Sequence, residues 1–416
     1  MKVFKLTNEE NSLFTKLPAI SALLLFYRRS ISVALYALIG FSTGLWLAFL
    51  CVLAVALFAV WLLMKRQVKV YLAGYAALFL MLMLYLVSLL LAPNEYATGY
   101  FRDFVLYCMT SAIIISFVRE YDAFIKLYCQ FSFWIFLICA PLPVLAGSFS
   151  YHGMAYFESG MVYGDWVVCP AFFGLYLLRK RYGKKKVIVL EAIDLILVGL
   201  FANRTSLLSI AMFVVLYELI ILKQRNRKII YWWIVLFIVG GTMLLFMGNI
   251  LRFVQSVLAG YGITSRTLQK SVVLFSENDY LVYSYIVSGR DQITRIALNL
   301  LKTHYLFGIG VGTFTVLTGI VYTHNIITDA LLTFGVIAGT VILAFTGKAI
   351  VNVFKRKEES LQTVMLLLFI LCFPRLLLSK TFIHDVPYWM FIVFALGQGN
   401  RSNRQPAPEA RNLSAR

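Results

Sequence analysis

Arginine, histidine and closely spaced glycines stand together in one stretch of this 416-residue chain, from Ser288 to Gly339. Arg290 opens it in Ser288-Gly289-Arg290, Gly308, Gly310 and Gly312 punctuate it, and His324-Asn325 precede a long apolar run. A guanidinium offers a planar fork to the oxygens of a phosphate. An imidazole is neutral yet basic near pH 7 and can take a proton from a hydroxyl. Together these are parts that hold an anionic leaving group and move one proton. Arg204, in Ala202-Asn203-Arg204-Thr205, is a second candidate for the anion; its other reading is an interface arginine whose stem lies along lipid. Arg290 either shares an anion with the first-turn N–H groups of the helix it begins, or is a solvated loop residue beside Asp291. That helix is amphipathic through Ile293, Ile296, Ala297, Leu300 and Leu301.

The glycine turn is not a nucleotide fingerprint. Its spacing is G-x-G-x-G, and no strand–helix–strand context surrounds it. It is read as a close backbone approach to a substrate or as a sharp turn entering a membrane. His384-Asp385 is a runner-up acid–base pair. Arg375, in LCFPRLLLSK, falls inside an apolar run, where ionisable residues are candidates for function. Glu191, Asp194 and Asp329 also fall inside such runs; Glu191 and Asp194 share a helix face, as a proton relay or as partners for Arg and Ser/Thr. Arg102 is a further isolated arginine. The sequence has no H-x-x-x-H, no D-x-D in a predicted external loop and no Cys/His cluster, so no metal or other cofactor is expected. The six Cys all fall in apolar runs and are read as packing residues.

The elements that position these residues follow from composition. Hydrophobic residues make up 61% of the chain and charged ones 14%, with mean hydropathy +0.82. A soluble domain is about 45–50% apolar and about 25% charged, so the chain needs a bilayer. Its net charge of +19 is gathered in short clusters between apolar runs, as cytoplasmic loops require, and is not read as a nucleic-acid surface. The fold expected is all-α and polytopic, with about twelve transmembrane helices. They are placed near 31–42, 45–64, 70–92, 103–118, 127–147, 161–178, 187–202, 205–222, 229–247, 326–347, 362–378 and 386–398. Residues 1–30 form an N-terminal cytoplasmic or interfacial segment without a cleavable signal, 31–248 hold the first nine spans, and 249–325 form a large external loop with short helices. Residues 326–399 hold the last three spans, and 400–416 a cytoplasmic tail. RKRYGKKK (179–186), KQRNRK (223–228) and KRKEE (355–359) fix the inner face, with both termini inside. Arg102, Arg204, Arg290 and all four His (152, 304, 324, 384) then fall outside.

In this order and on this face, the motifs resemble those of the bacterial O-antigen ligase/polymerase superfamily. Asn203-Arg204-Thr205 is similar to its S-R-[GAT] turn. Ser288-Gly289-Arg290 is similar to its outer G-R segment, and Leu306 to Gly312 to its P-[LI]-x-G-x-G-x-G element, with Tyr305 in place of Pro. His324-Asn325 with Gly335 to Gly339 is similar to its last element, with Thr328 where Leu is common and Thr333 where an acid is frequent. The resemblance covers the C-terminal half. It implies a membrane glycosyltransferase of GT-C-like fold in the bacterial inner membrane, with its active site facing the periplasm. The donor would be a glycan on undecaprenyl diphosphate and the acceptor a sugar hydroxyl on a lipid-linked repeat or the lipid A core. Arg204 and Arg290 would clamp the diphosphate and His324 would act as general base, with inversion and without a metal. Asn325 would orient the sugar or the imidazole. A chain-length regulator is a further partner the resemblance allows. Polymerase is favoured over ligase; a transporter of lipid-linked sugars is the reading from another class.

Overall fold

The computed structural model describes residues 8–39, 42–65, 72–141, 163–201, 204–222, 252–257, 259–260, 272, 290–378 and 380–399. Among these residues every regular element is helical. Their apolar composition and length explain this, since a backbone in lipid must satisfy its own hydrogen bonds. Five helices are long and apolar enough to cross a membrane. They are α2 (Thr43–Met64), α3 (Leu72–Leu91), α6 (Tyr121–Cys139), α12 (Ile326–Lys355) and α13 (Glu359–Leu378). Their faces expose large apolar side chains, including Leu63 at 88% and Leu90 and Leu91 at 81%. Such a surface suits lipid and not water. These are the helices of a membrane-embedded protein.

The remaining described elements are shorter or less apolar. α1 (Asn8–Ile39) runs unbroken for 32 residues, about 48 Å at helical rise, and so crosses the expected boundary between residues 30 and 31. α4 (Glu95–Asp103) passes through a π-helical turn at Phe104–Met109 into α5 (Thr110–Ser116), where one span near 103–118 was expected. A second π turn, Gly164–Val168, leads into α7 (Cys169–Lys180). α8 (Ile188–Phe201) and α9 (Arg204–Leu216) follow, the latter ending in a third π turn at Tyr217–Leu222. α10 (Arg290–Thr303) and α11 (Thr313–Thr318) precede α12, and α14 (Val386–Gly399) closes the described chain. The expected span near 229–247 and the tail 400–416 lie outside the described residues.

α14 is the hub. Every residue from Val386 to Gln398 is buried, and the helix packs against α3, α5, α12 and α13. Gly74 of α3 makes one of these crossings close: a Cβ there would stand 2.6 Å from the Val393 carbonyl oxygen. Only helix on every side lets a fourteen-residue helix bury its whole surface.

Two ends of the bundle can be told apart by their ion pairs. At the basic end, Arg181 meets Asp122 at the start of α6 and Glu359 at the start of α13. Arg179 donates to both carboxylate oxygens of Glu191, at 2.7 and 2.8 Å, and Lys180 pairs with Glu218. Glu191 is therefore an arginine partner, one of the two roles open to it in the sequence. The other end holds the loop between α13 and α14.

Candidate functional site

The glycine turn is built against a break in α12. Gly335 adopts φ 74° and ψ 173°, splitting that helix, and the turn docks in the gap. The Ile309 and Gly310 amides donate to the carbonyls of Leu332 and Thr333 at 2.9 and 3.0 Å, and the Val336 amide donates to the Tyr305 carbonyl at 2.7 Å. Gly308, Gly310 and Gly312 all have positive φ. A Cβ on Gly308 would lie 2.5 Å from the Gly335 nitrogen, and one on Gly335 would strike the Leu306 carbonyl. The turn is stitched to α3 and α4 as well. The Val311 amide donates to Ser88 Oγ at 2.7 Å, and Asn94 Nδ2 donates to the Val311 carbonyl at 2.9 Å while its Oδ1 caps α4. The close approach that Gly308 and Gly335 permit is thus an approach to other backbone.

That frame sets His324. The residue has φ 62°, and among the described residues it is the one non-glycine in the left-handed region. His is enriched there relative to bulky residues, yet the conformation is held only where its surroundings fix it. Here the fixing comes from the next residue. Asn325 caps α12, its Oδ1 accepting from the Ile327 amide at 2.9 Å, while its carbonyl accepts from Thr323 Oγ1. The imidazole is half-buried, edge-to-face with Tyr322 at 4.5 Å. One turn on, Asp329 is buried and accepts from Thr381 Oγ1 at 2.5 Å, tying the start of α12 to the α13–α14 loop.

α10 lies over the same frame. Ala297 packs with Ile309, Phe314 and Leu332, and Ile293, Leu300 and Leu301 surround them. The expected apolar face is present except for Ile296, which is 39% exposed. An open cleft of about 580 Å³ between α10 and the α12 break is lined by Arg295, Asn299, Lys302, Tyr305 and Val336.

Around the α13–α14 loop the structure gathers residues that the sequence kept apart. Arg375, 3% exposed, stands 3.3 Å from Asp165 and 4.0 Å from Asp385. Lys380 Nζ lies 2.8 Å from Asp385. The cations lie near the indole of Trp166. Lys380 Nζ, the Arg29 guanidinium and the Arg375 guanidinium sit 4.6, 5.2 and 5.6 Å from its ring centre. The π turn at 164–168 brings Asp165 and Trp166 inward together, since five consecutive residues there are buried. Such turns often mark functional positions. α1 is joined to this cluster by Ser30 Oγ, which donates to the Trp166 carbonyl at 2.6 Å.

His384 and Asp385 share the loop without forming a pair of base and orienting acid. Asp385 is committed to Lys380, Arg375 and the Tyr388 amide, which it caps at 3.2 Å. His384 stacks on Tyr100 at 4.7 Å. Burial, and then the nearby Lys380 and Arg29 charges, push its imidazole down to about 4. A base that weak holds a hydroxyl proton poorly near neutral pH.

Arg102 is exposed and pairs with Asp103 at 3.5 Å, outside this cluster. Arg290 begins α10, as the sequence placed it, and Arg204, expected in the turn before a span, is the first residue of α9; their side chains lie outside the described residues. The start of α9 reaches the buried cluster through its backbone, because the Cys169 thiol, four residues after Asp165, points at the Ser206 carbonyl at 4.0 Å. Arg28, Arg29, Asp165, Trp166 and Lys380 were not among the candidates the sequence offered for the site. A charge inside an apolar run was the available signal for Arg28, Arg29 and Asp165. Among the described residues no three His, Cys, Asp or Glu side chains gather as a metal set. No family model matches the chain, and no curated protein or solved structure is detectably similar to it.

Proposed function

We propose that the chain is a membrane glycosyltransferase that moves a glycan from undecaprenyl diphosphate to an acceptor sugar hydroxyl at the periplasmic face of a bacterial inner membrane. His324 is the general base. It takes the hydroxyl proton as the acceptor oxygen attacks the anomeric carbon, and the C1–O bond to the diphosphate breaks with inversion. The lipid diphosphate leaves with its electron pair, stabilised by Arg204 and Arg290. No second energy source is needed, since the diphosphate is itself the leaving group.

The observation that carries this reading is the backbone of His324, held left-handed between the docked glycine turn and the Asn325 cap. A general base must sit within hydrogen-bond reach of the proton it takes, and rigid elements place it there better than a free loop. Polymerisation of lipid-linked repeats is favoured over ligation to a lipid A core, because the predicted external loops offer few acids or aromatics for a large core oligosaccharide.

The test is glycan transfer in reconstituted membranes supplied with a lipid-linked repeat unit. His324→Ala and His324→Gln should each lose about 10²–10⁴ in rate while donor still binds. Turnover in either above about a tenth of wild type removes His324 from the role. Arg204→Lys should fail nearly as badly as Arg204→Ala, because lysine lacks the fork; full activity there, at normal membrane abundance, restores the lipid-interface reading.

A further inference from the structure

Charge in the buried cluster does not balance among the described residues. Arg375 and Lys380 are matched by Asp165 and Asp385. Arg28 and Arg29 are left over. Arg28 is 3% exposed, in the middle of an apolar helix; its Nη1 donates to the Leu25 carbonyl at 2.7 Å and its guanidinium lies 4.5 Å from the Tyr107 ring centre. Arg29 is half-buried and faces the Trp166 indole. Neither meets a carboxylate among the described residues.

A buried charge without a counter-charge costs several kcal/mol even after the protein relaxes. A carbonyl dipole and two aromatic faces offset only part of that, because a cation–π contact contributes about 0.5–2 kcal/mol. At 3% exposure Arg28 has little water at hand to supply the rest. Two adjacent positive charges, a third on Lys380 beside the same indole, and two carboxylates already engaged leave a deficit of two negative charges among the described residues. A doubly charged anion with several acceptor oxygens fits it. Phosphate chemistry has that charge and accepts from planar guanidinium forks. Carboxylates fit less well, since one supplies a single charge.

We propose that Arg28 and Arg29, with Lys380 beside the same Trp166 indole, form a binding site for a phosphate-bearing anion, either a phosphorylated lipid headgroup or free phosphate. The site goes beyond the transfer reading, as binding there needs no turnover and none of the three cations belongs to the diphosphate clamp.

The experiment uses the full-length protein in nanodiscs of neutral lipid, with ³²P-labelled pyrophosphate and ³²P-labelled undecaprenyl phosphate as separate probes. Saturable binding that Arg29→Gln weakens identifies a headgroup site where only the lipid probe binds, and a site open to free phosphate where both bind; both outcomes support the proposal. Arg28→Gln and Arg29→Gln should each weaken binding at least about ten-fold, the loss of one charge-assisted contact, and Arg29→Lys should keep most of it. A second readout separates binding from packing. Without ligand, Arg28→Met should melt at a higher temperature than wild type, since an uncompensated cation has gone; a structural arginine would give a lower one. Failure of wild type to bind either probe overturns the site. So does unchanged binding in Arg29→Gln, whose partly exposed position protects the fold. Retained binding together with inactive transfer would instead strike down the enzymatic reading and leave this site standing.

Discussion

The two ends of the helical bundle treat charge in opposite ways. At the basic end each cation has its own acid: Arg179 with Glu191, Lys180 with Glu218, and Arg181 with Asp122 and Glu359. These pairs are partly exposed, and Asp122 is 73% exposed, so solvent shares the work and each contributes little. At the other end, Arg375, Asp165 and Asp385 are 4%, 6% and 0% exposed at the side chain, and Arg28 and Arg29 have no acid among the described residues. Solvation reaches Arg29 in part but cannot account for the buried charges. The lesson is that a cluster of Lys and Arg records topology where it is neutralised in the open, and records a task where it is buried in excess.

The largest expected effect breaks this contrast directly. Arg375→Leu would leave Asp165 unmatched in a buried site and should cost about 3–5 kcal/mol. Arg179→Leu at the basic end should cost about 1 kcal/mol or less. Thermal unfolding of both variants in the same nanodiscs compares them. Equal losses would mean that the buried cluster is solvated after all, and the contrast between the ends would fall.

Much of this was legible in the sequence, and what was not has a physical reason. The spans at 45–64, 70–92 and 326–347 correspond to α2, α3 and the main part of α12, because length and apolarity alone decide them. Arg375 and His324 stood out because polar residues beside apolar runs are uncommon. Three kinds of feature were hidden. Arg28 and Arg29 fell in the segment 1–30 read as cytoplasmic or interfacial, whereas α1 continues to Ile39. Asp165 and Trp166 needed a π turn to face inward together, and π geometry leaves no periodic signature. The partner of the glycine turn was a helix break at Gly335, a tertiary fact about where two backbones meet.

A smaller effect compares left-handed glycines. Gly308 and Gly183 have φ of 72° and 67°. At Gly183, in the basic loop, a Cβ would stand in open space, whereas at Gly308 it would meet backbone of α12 at 2.5–2.6 Å. Alanine at either position carries about 1–2 kcal/mol of left-handed strain. Only Gly308→Ala must also push the turn out of the α12 break. It should therefore destabilise more than Gly183→Ala and, by displacing His324, lower transfer. Equal melting temperatures for the two variants would show that the turn gives way freely, and the rigid frame argued for His324 would be lost.

The smallest effect sharpens the comparison within one helix. Glu191 and Asp194 of α8 lie three residues apart, and both are buried, at 5% and 0% exposure. Glu191 is held by two hydrogen bonds from Arg179. Both carboxylate oxygens of Asp194 lack a partner among the described residues. A buried polar group without a partner costs about 1–3 kcal/mol, and removing it returns that amount. Asp194→Leu should thus raise the melting temperature, while Glu191→Leu, which strands Arg179, should lower it. If the pair were instead a proton relay, both substitutions would abolish turnover whatever they did to stability, so transfer is measured beside melting. Loss of turnover in Asp194→Leu with a raised melting temperature would give Asp194 a task of its own. Unchanged turnover would leave it as a polar residue that the fold tolerates between its two ends.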